Sequence, residues 1–590
     1  MFAGKGHRQT TGVQGGATTP RLSTVREADR IVVLDGGRVV EQGSPASSST
    51  AELQDCPPAP WGLRQARTTR WQMRRRQGIR LVLTALAIGA VTAACSSPKK
   101  TTEVGRSTVV TDENRLSRTH EAPSLLVDRN DPDTVYLAEV ELQAGENRFY
   151  ISSDRGATWK RSEAPKLVPY TDGGLGPAST KNIRTELEQA SNGTLYYLFH
   201  AHDPSAGGAR SVLLGRSTDG GLTWRTTAVW AAPKPVDDVV ELNWQAHIAI
   251  DPANEQRVYV TWRRFFQLPP GAPSRPVRPF MAVSDDGGAT FGAPVMLMDK
   301  ATGFEAPRVH VRDGKLWAFY RENPPAAGPN VPEPRLTTIT ASVSEDQGKT
   351  WKDSKVMGAR DASEPVSILD RERGEFYLVW HDNRSQDLDI YFSKSADGAT
   401  WSEPRMLNDD PKGARIGQFY PKISLVPGGR IDVAWYDFRN DPFPAPTVAP
   451  TATAPFLGLT TDVGVFDAVY LTSSEDGGDT WSKNLRVSDV PNDRSLGTAG
   501  PQYFVQVPLA VTSGEDWSVV AWSDTRHGNK ENSTQDIAAA AIDFAHTEDG
   551  DTRGRDFGLG LLAGVALGGG FAMSLAVAQV RRPADATEPA

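Results

Sequence analysis

Cysteine is nearly absent: the chain has two in 590 residues, Cys56 and Cys95. That excludes a disulfide framework. No GxxxxGK[ST] loop occurs, so nothing here cradles a nucleotide phosphate. The nine histidines include no HExxH pair, and no metal or cofactor is expected. Excess positive charge is missing too. Residues 1–95 hold 13 of the 64 Lys and Arg and 6 of the 72 Asp and Glu, leaving 51 against 66 for the rest. A body that acidic argues against a nucleic-acid partner. What remains, 38% hydrophobic and 23% charged, is ordinary for a globular protein and excludes a mainly disordered or wholly membrane-embedded chain. The 54 glycines and 42 prolines favour many turns over long helices.

The two ends differ from the body. Residues 1–72 read as a disordered extension, a fusion scar or a misplaced start. Within them RLSTVREADRIVVLDGGRVVEQGS, 21–44, resembles the end of an ABC-transporter ATPase domain, with Pro20 where that family has its switch histidine. Residues 73–95 have the layout of an export signal: MRRRQGIR is basic, LVLTALAIGAVTAA is apolar, and Cys95 follows two alanines. The last part resembles a bacterial lipobox, with Thr92 where the family prefers Leu or Val; the resemblance implies a lipidated Cys95. Residues 96–106 read as a polar tether. At the far end, 557–580 carry no charge and Arg581 and Arg582 follow. That length and flank suit a transmembrane helix, with 546–556 as linker and 581–590 as cytoplasmic tail. Gly560, Gly564 and Gly568 would permit helix-mediated self-association. Both ends place the body at the extracytoplasmic face of the cell membrane.

The body, 107–545, is a repeat array. The pattern S-x-D-x-G-x-T-[WF] recurs six times: SSDRGATW from Ser152, STDGGLTW from Ser217, SDDGGATF from Ser284, SEDQGKTW from Ser344, SADGATW from Ser395 and SEDGGDTW from Ser474. Each copy lies between two extended runs and therefore marks a hairpin turn. Its aspartate (Asp154, Asp219, Asp286, Asp346, Asp397 or Asp476) accepts bonds from the turn's own amides, and its glycine supplies a positive φ. Two more extended runs precede each copy, as in APSLLVD with VYLAEV or EPVSILD with FYLVW. Each unit is thus about four antiparallel strands, and radial repetition of such sheets is a β-propeller. A seventh unit, 505–544, lacks the turn and offers three strands; the run at 107–112 would supply its fourth. The expected fold class is all-β: a propeller of seven four-stranded blades, or six with spare strands, plus the C-terminal helix.

These repeats resemble the Asp-box, or BNR, repeat of sialidase-like propellers over 107–545. The resemblance implies a glycan or glycoprotein ligand and an exo-sialidase type of glycoside hydrolase. That family uses an arginine triad for the substrate carboxylate, a Tyr–Glu nucleophile pair and an aspartic acid/base; the alternative is a non-catalytic carbohydrate- or protein-binding scaffold. The family's [FY]-R-I-P motif is missing, and the corresponding stretch reads RTHEAPSLLVD, 118–128. Inner strands of a propeller converge where they begin. That places His120, Glu121, Arg184, Glu186, Glu188, Trp244, Gln245, His247, Glu305, Arg308, Glu364, Tyr420, Gln502 and Tyr503 around one opening. The candidate catalytic set is Glu121, Arg184, Glu305, Arg308, Tyr420 and Tyr503. W-x-D-x-R recurs at Trp380, Trp435 and Trp522 and reads as an Asp–Arg tie of a turn, or else as a ligand-facing arginine from each blade. The Pro-rich stretches 268–279 and 441–455 read as loops rimming one face.

Overall fold

The structure is a computed structural model. It describes 31–35, 38–43 and, from 100 to 547, all but 112–118, 143–144, 167–184, 204–207, 274, 300–305, 323–335, 361, 364, 386–387, 412–415, 442–465, 495, 497–508 and 530–533. The chain divides into two units, Met1–Ala94 and Cys95–Ala590. In the first, Ile31–Asp35 and Arg38–Gly43 pair as an antiparallel hairpin, inside the stretch expected to be disordered.

The second unit is a ring of seven antiparallel sheets. Six of the sheets follow chain order from the channel outwards, and the seventh takes its outer strand from Lys100–Val104. The inner strands are His120–Val127, Glu186–Gln189, Val240–Ile250, Arg308–Arg312, Val366–Asp370, Gln418–Leu425 and Ala510–Ser513. Among the described residues no helix is long and apolar enough to cross a membrane; 557–580 and Cys95 lie outside them.

The strands alternate, so the ring has two faces. Inner strands begin at one, the mouth face. The recurring turns lie at the other, the turn face. In five of the six turns one geometry repeats. In the second, Ser217 Oγ accepts Gly221 N at 2.9 Å, and Asp219 accepts Thr223 N at 2.9 Å and Thr223 Oγ1 at 2.6 Å. Such bonds, the threonine hydroxyl foremost, bring Asp219, Asp286 and Asp346 down to about 2. The fifth turn is one residue shorter, and Asp397 takes Ala399 N at 2.9 Å and Thr400 N at 2.6 Å.

Each turn also clasps the preceding blade. Gly221 has φ +84°, and a Cβ there would lie 2.3 Å from Phe149 of blade 1. Gly288, Gly348, Gly398 and Gly478 meet Leu214, Met281, Trp317 and Phe392 in the same way, and Gly156 meets Val519 of blade 7. Glycine is required by both backbone and space.

The core lies between blades. Trp435 and Val433 pack on Tyr377, Val379 and Phe392, and Trp522 and Val520 pack on Ala434, Tyr436 and Leu471. Four tryptophans in second strands, Trp262, Trp380, Trp435 and Trp522, are fully buried. The last three donate their indole N–H to an aspartate two residues on, Asp382, Asp437 and Asp524, at 2.9, 2.9 and 3.0 Å. Arg384, Arg439 and Arg526 bond the same carboxylates. This thrice-repeated set ties a strand end to its turn.

Blade 7 is closed by the other end of the propeller. Asp536–Thr547 pairs with Lys100–Val104, Lys100 opposite Thr547, and Thr108–Val109 adds two residues further on. The main fourth strand therefore lies upstream of 107–112, in the stretch read as a tether. Its sequence, KTTEV, has too little apolar character to announce a strand.

Candidate functional site

The seven inner strands enclose a central channel of about 850 Å³. Three of them begin with the same irregularity. In blade 1, Ala122 and Pro123 stand against one partner residue; in blade 3, Gln245 and Ala246; in blade 6, Tyr420 and Pro421. The first residue of each bulge is left-handed: φ is 58° at Ala122, 53° at Gln245 and 52° at Tyr420. Such bulges re-aim a side chain, and non-glycine residues hold that conformation only where the surroundings impose it. At Ala122 the surroundings include Thr185, whose hydroxyl donates to the Ala122 carbonyl at 2.9 Å. At Tyr420, the backbone N–H donates to His381 Nδ1 at 3.3 Å and the two rings meet edge to face. Burial, then Arg321, lowers His381 to about 3, so it is neutral and can accept.

The polar centre of the mouth is Glu186, on the second inner strand. Arg308 of blade 4 grips it with two nitrogens, Nη1 to Oε1 at 3.2 Å and Nη2 to Oε2 at 3.3 Å. His247 of blade 3 meets Oε2 at 2.6 Å. Burial pushes this carboxyl up, but Arg308 and His247 outweigh it and bring it down to about 2. Three blades therefore meet at one ionised carboxylate. Two residues along the same strand, Glu188 faces the same channel. It bonds Arg129 at 3.1 Å and its side chain is 30% exposed. Burial, partly offset by Arg129, raises its carboxyl. Next around the ring, His310 Nε2 meets Ser367 Oγ at 2.8 Å. Burial, then Arg308 and Arg371, lowers His310 to about 3.

Beside the mouth, blade 3 begins with a long ribbon, Val240–Ile250 against Val258–Gln267. Trp244 stacks on Phe265 at 5.7 Å and carries Arg210 over its ring at 4.2 Å. Arg264 bonds Glu241 at 3.1 Å and lies over Phe280.

Of the sequence candidates, Arg308 and His247 line the channel, whereas Tyr420 and Gln245 stand at the bulges with the phenol oxygen and the amide oxygen buried. Glu121 is buried where its strand begins, 7% exposed. Arg184, Glu305, Glu364, Gln502 and Tyr503 lie outside the described residues. Arg308 does not present an open fork, because Glu186 fills it. Sequence reasoning placed Glu186 at the opening but outside the catalytic set. A pairing across two blades leaves no spacing signal, since its members are 122 residues apart. Among the described residues no group of three or more His, Cys, Asp or Glu is arranged to hold a metal ion.

No family model matches the chain, and no curated protein matches it. Solved structures with a similar fold include a protein of unknown function from Dyadobacter fermentans, at 12% identity, TM-score 0.39, covering 75% of this chain and 99% of that one. An α-L-arabinofuranosidase of Fusarium graminearum has the same identity, score and coverage. Trypanosoma rangeli sialidase is 13% identical at TM-score 0.37, covering 65% of this chain and 56% of its own. At these values the likeness extends to the propeller fold alone.

Proposed function

We propose that this protein acts on glycans in the central channel as a glycoside hydrolase, with Glu188 as proton donor and Glu186 as the ionised partner. The observation that carries the proposal is the divergence of these two carboxyls. They share one face of one strand, one held at about 2 and the other raised. Carboxyls whose surroundings push their proton affinities apart are what acid/base assignment requires. Their Cα atoms are about 6.7 Å apart by strand geometry. Arg308 and His247 hold Glu186 in place.

The exo-sialidase form of this reading asks Arg308 to bind a substrate carboxylate, which requires Glu186 to share or release it. A panel of fluorogenic aryl glycosides, including a sialoside and an arabinofuranoside, tests both forms on wild type, Glu188→Gln and Tyr420→Phe. Turnover lost in Glu188→Gln supports the hydrolase. Turnover confined to the sialoside and lost in Tyr420→Phe supports the sialidase form. A folded protein that binds glycans on an array without cleaving any of the panel would leave the scaffold reading.

A further inference from the structure

The pairing that closes blade 7 also fixes where the chain leaves the propeller. Its third strand, Asp536–Thr547, starts at the mouth face, where Asp536 pairs with Asp524, and runs to the turn face. Lys100 is paired with Thr547. Both ends of the propeller therefore leave side by side, about 5 Å apart, on the turn face and at the rim.

Beyond those two residues the sequence has two stretches of membrane chemistry. Cys95, behind a basic and apolar stretch, is five residues before Lys100, a span of at most about 17 Å. The charge-free run 557–580, with two arginines after it, starts ten residues beyond Thr547, at most about 35 Å away. From these observations we propose that the turn face lies against a lipid bilayer, held by the chain's own two ends, and that the channel mouth points away from it.

The dimensions decide the orientation. Twelve residues of extended strand, Asp536–Thr547, separate the faces by about 36 Å. A tether of about 17 Å is shorter than that, so the ring cannot roll over to bring its mouth to the membrane. A substrate for the mouth is then presented from the surrounding medium, not from the lipid surface that carries the protein.

Two exposed residues of blade 2 test this, because they sit on opposite faces. Leu222 is in the second recurring turn and 61% exposed; Val236 is in the loop leading to blade 3 and 71% exposed. Full-length Leu222→Cys and Val236→Cys proteins, each with Cys56→Ser, are placed in phosphatidylcholine–phosphatidylglycerol vesicles and labelled with a donor fluorophore. Protein with Cys56→Ser alone is the blank. Transfer to acceptor-labelled headgroups is expected to be at least about twofold stronger from position 222 than from 236, given the separation of the faces. Equal or reversed transfer overturns the proposal, as does protein that fails to float with the vesicles. Catalytic activity does not enter the readout, so this result stands apart from the hydrolase reading.

Discussion

Replacing Glu186 by glutamine tests the polar centre of the mouth directly. The side chain keeps its volume but loses the charge that Arg308 and His247 hold. The carboxyl sits at about 2 instead of 4.5. Its folded value is depressed, so its contribution is fully present well above 4.5 and fades as pH falls through the folded value. Linkage gives about 3 kcal/mol at pH 7 and about 1.4 kcal/mol at pH 3. Leaving Arg308 without its partner adds to the loss. Urea unfolding of wild type and Glu186→Gln at pH 7, 5, 4 and 3 reads the difference, and titrating groups remote from Glu186 cancel between them. A difference near 3 kcal/mol at pH 7 that shrinks by about half at pH 3 is expected. A difference below about 1 kcal/mol at pH 7, or one that does not change with pH, would refute the argument that three blades are tied by an ionised carboxylate.

Other consequences are equally measurable. His381, buried and lowered from 6.5 to about 3, is neutral when folded. The unfolded chain binds its proton first, so stability drops by about 2 kcal/mol from this residue between pH 6.5 and 5, and His381→Phe should flatten that part of the urea-midpoint profile. Gly221→Ala should cost well over about 2 kcal/mol by strain and overpacking, since its Cβ would meet Phe149 at 2.3 Å. Gly271→Ala, with φ +85° but nothing within 4 Å, should cost about 1 kcal/mol; equal losses of thermal stability would contradict the clasp. Arg430 grips Asp432 at 3.0 Å and donates to the carbonyls of Gly514, Glu515 and Trp517 in blade 7. Arg430→Met strands the buried Asp432 and should cost about 3–5 kcal/mol, read as a lower melting temperature.

The sequence announced the ring because each blade needs the same turn. A serine, an aspartate, a glycine and a threonine at fixed spacing are local chemistry, and local chemistry repeats visibly. The inner and second strands of six blades followed from apolar runs between those turns; the inner strand of blade 2, Glu186–Gln189, has no such run. The outer strand of blade 7 did not, because Lys100–Val104 is short and polar and its partner lies at the far end of the chain. The site was half legible. Arg308 and His247 could be placed at the channel by the propeller's own geometry. The bulges could not, since Ala122, Gln245 and Tyr420 carry no glycine to mark a left-handed backbone. The closure of Arg308 on Glu186 is likewise a property of the ring, visible only once blades 2 and 4 come together around blade 3.

The joint at blade 7 also sets an order of events in time. The chain is made from its N-terminus, so Lys100–Val104 appears early and its partner, Asp536–Thr547, appears after the six other blades have been made. Those blades can form from neighbouring stretches as they emerge, whereas the seventh waits for nearly the whole chain. Until then the first strand is an unpaired edge, open to a wrong neighbour. If the chain is exported, it must cross its membrane before the lock can shut, and a protein stalled near its end would be an open ring with exposed blade faces. The last strand to be synthesised is thus the one that turns a row of blades into a sealed molecule.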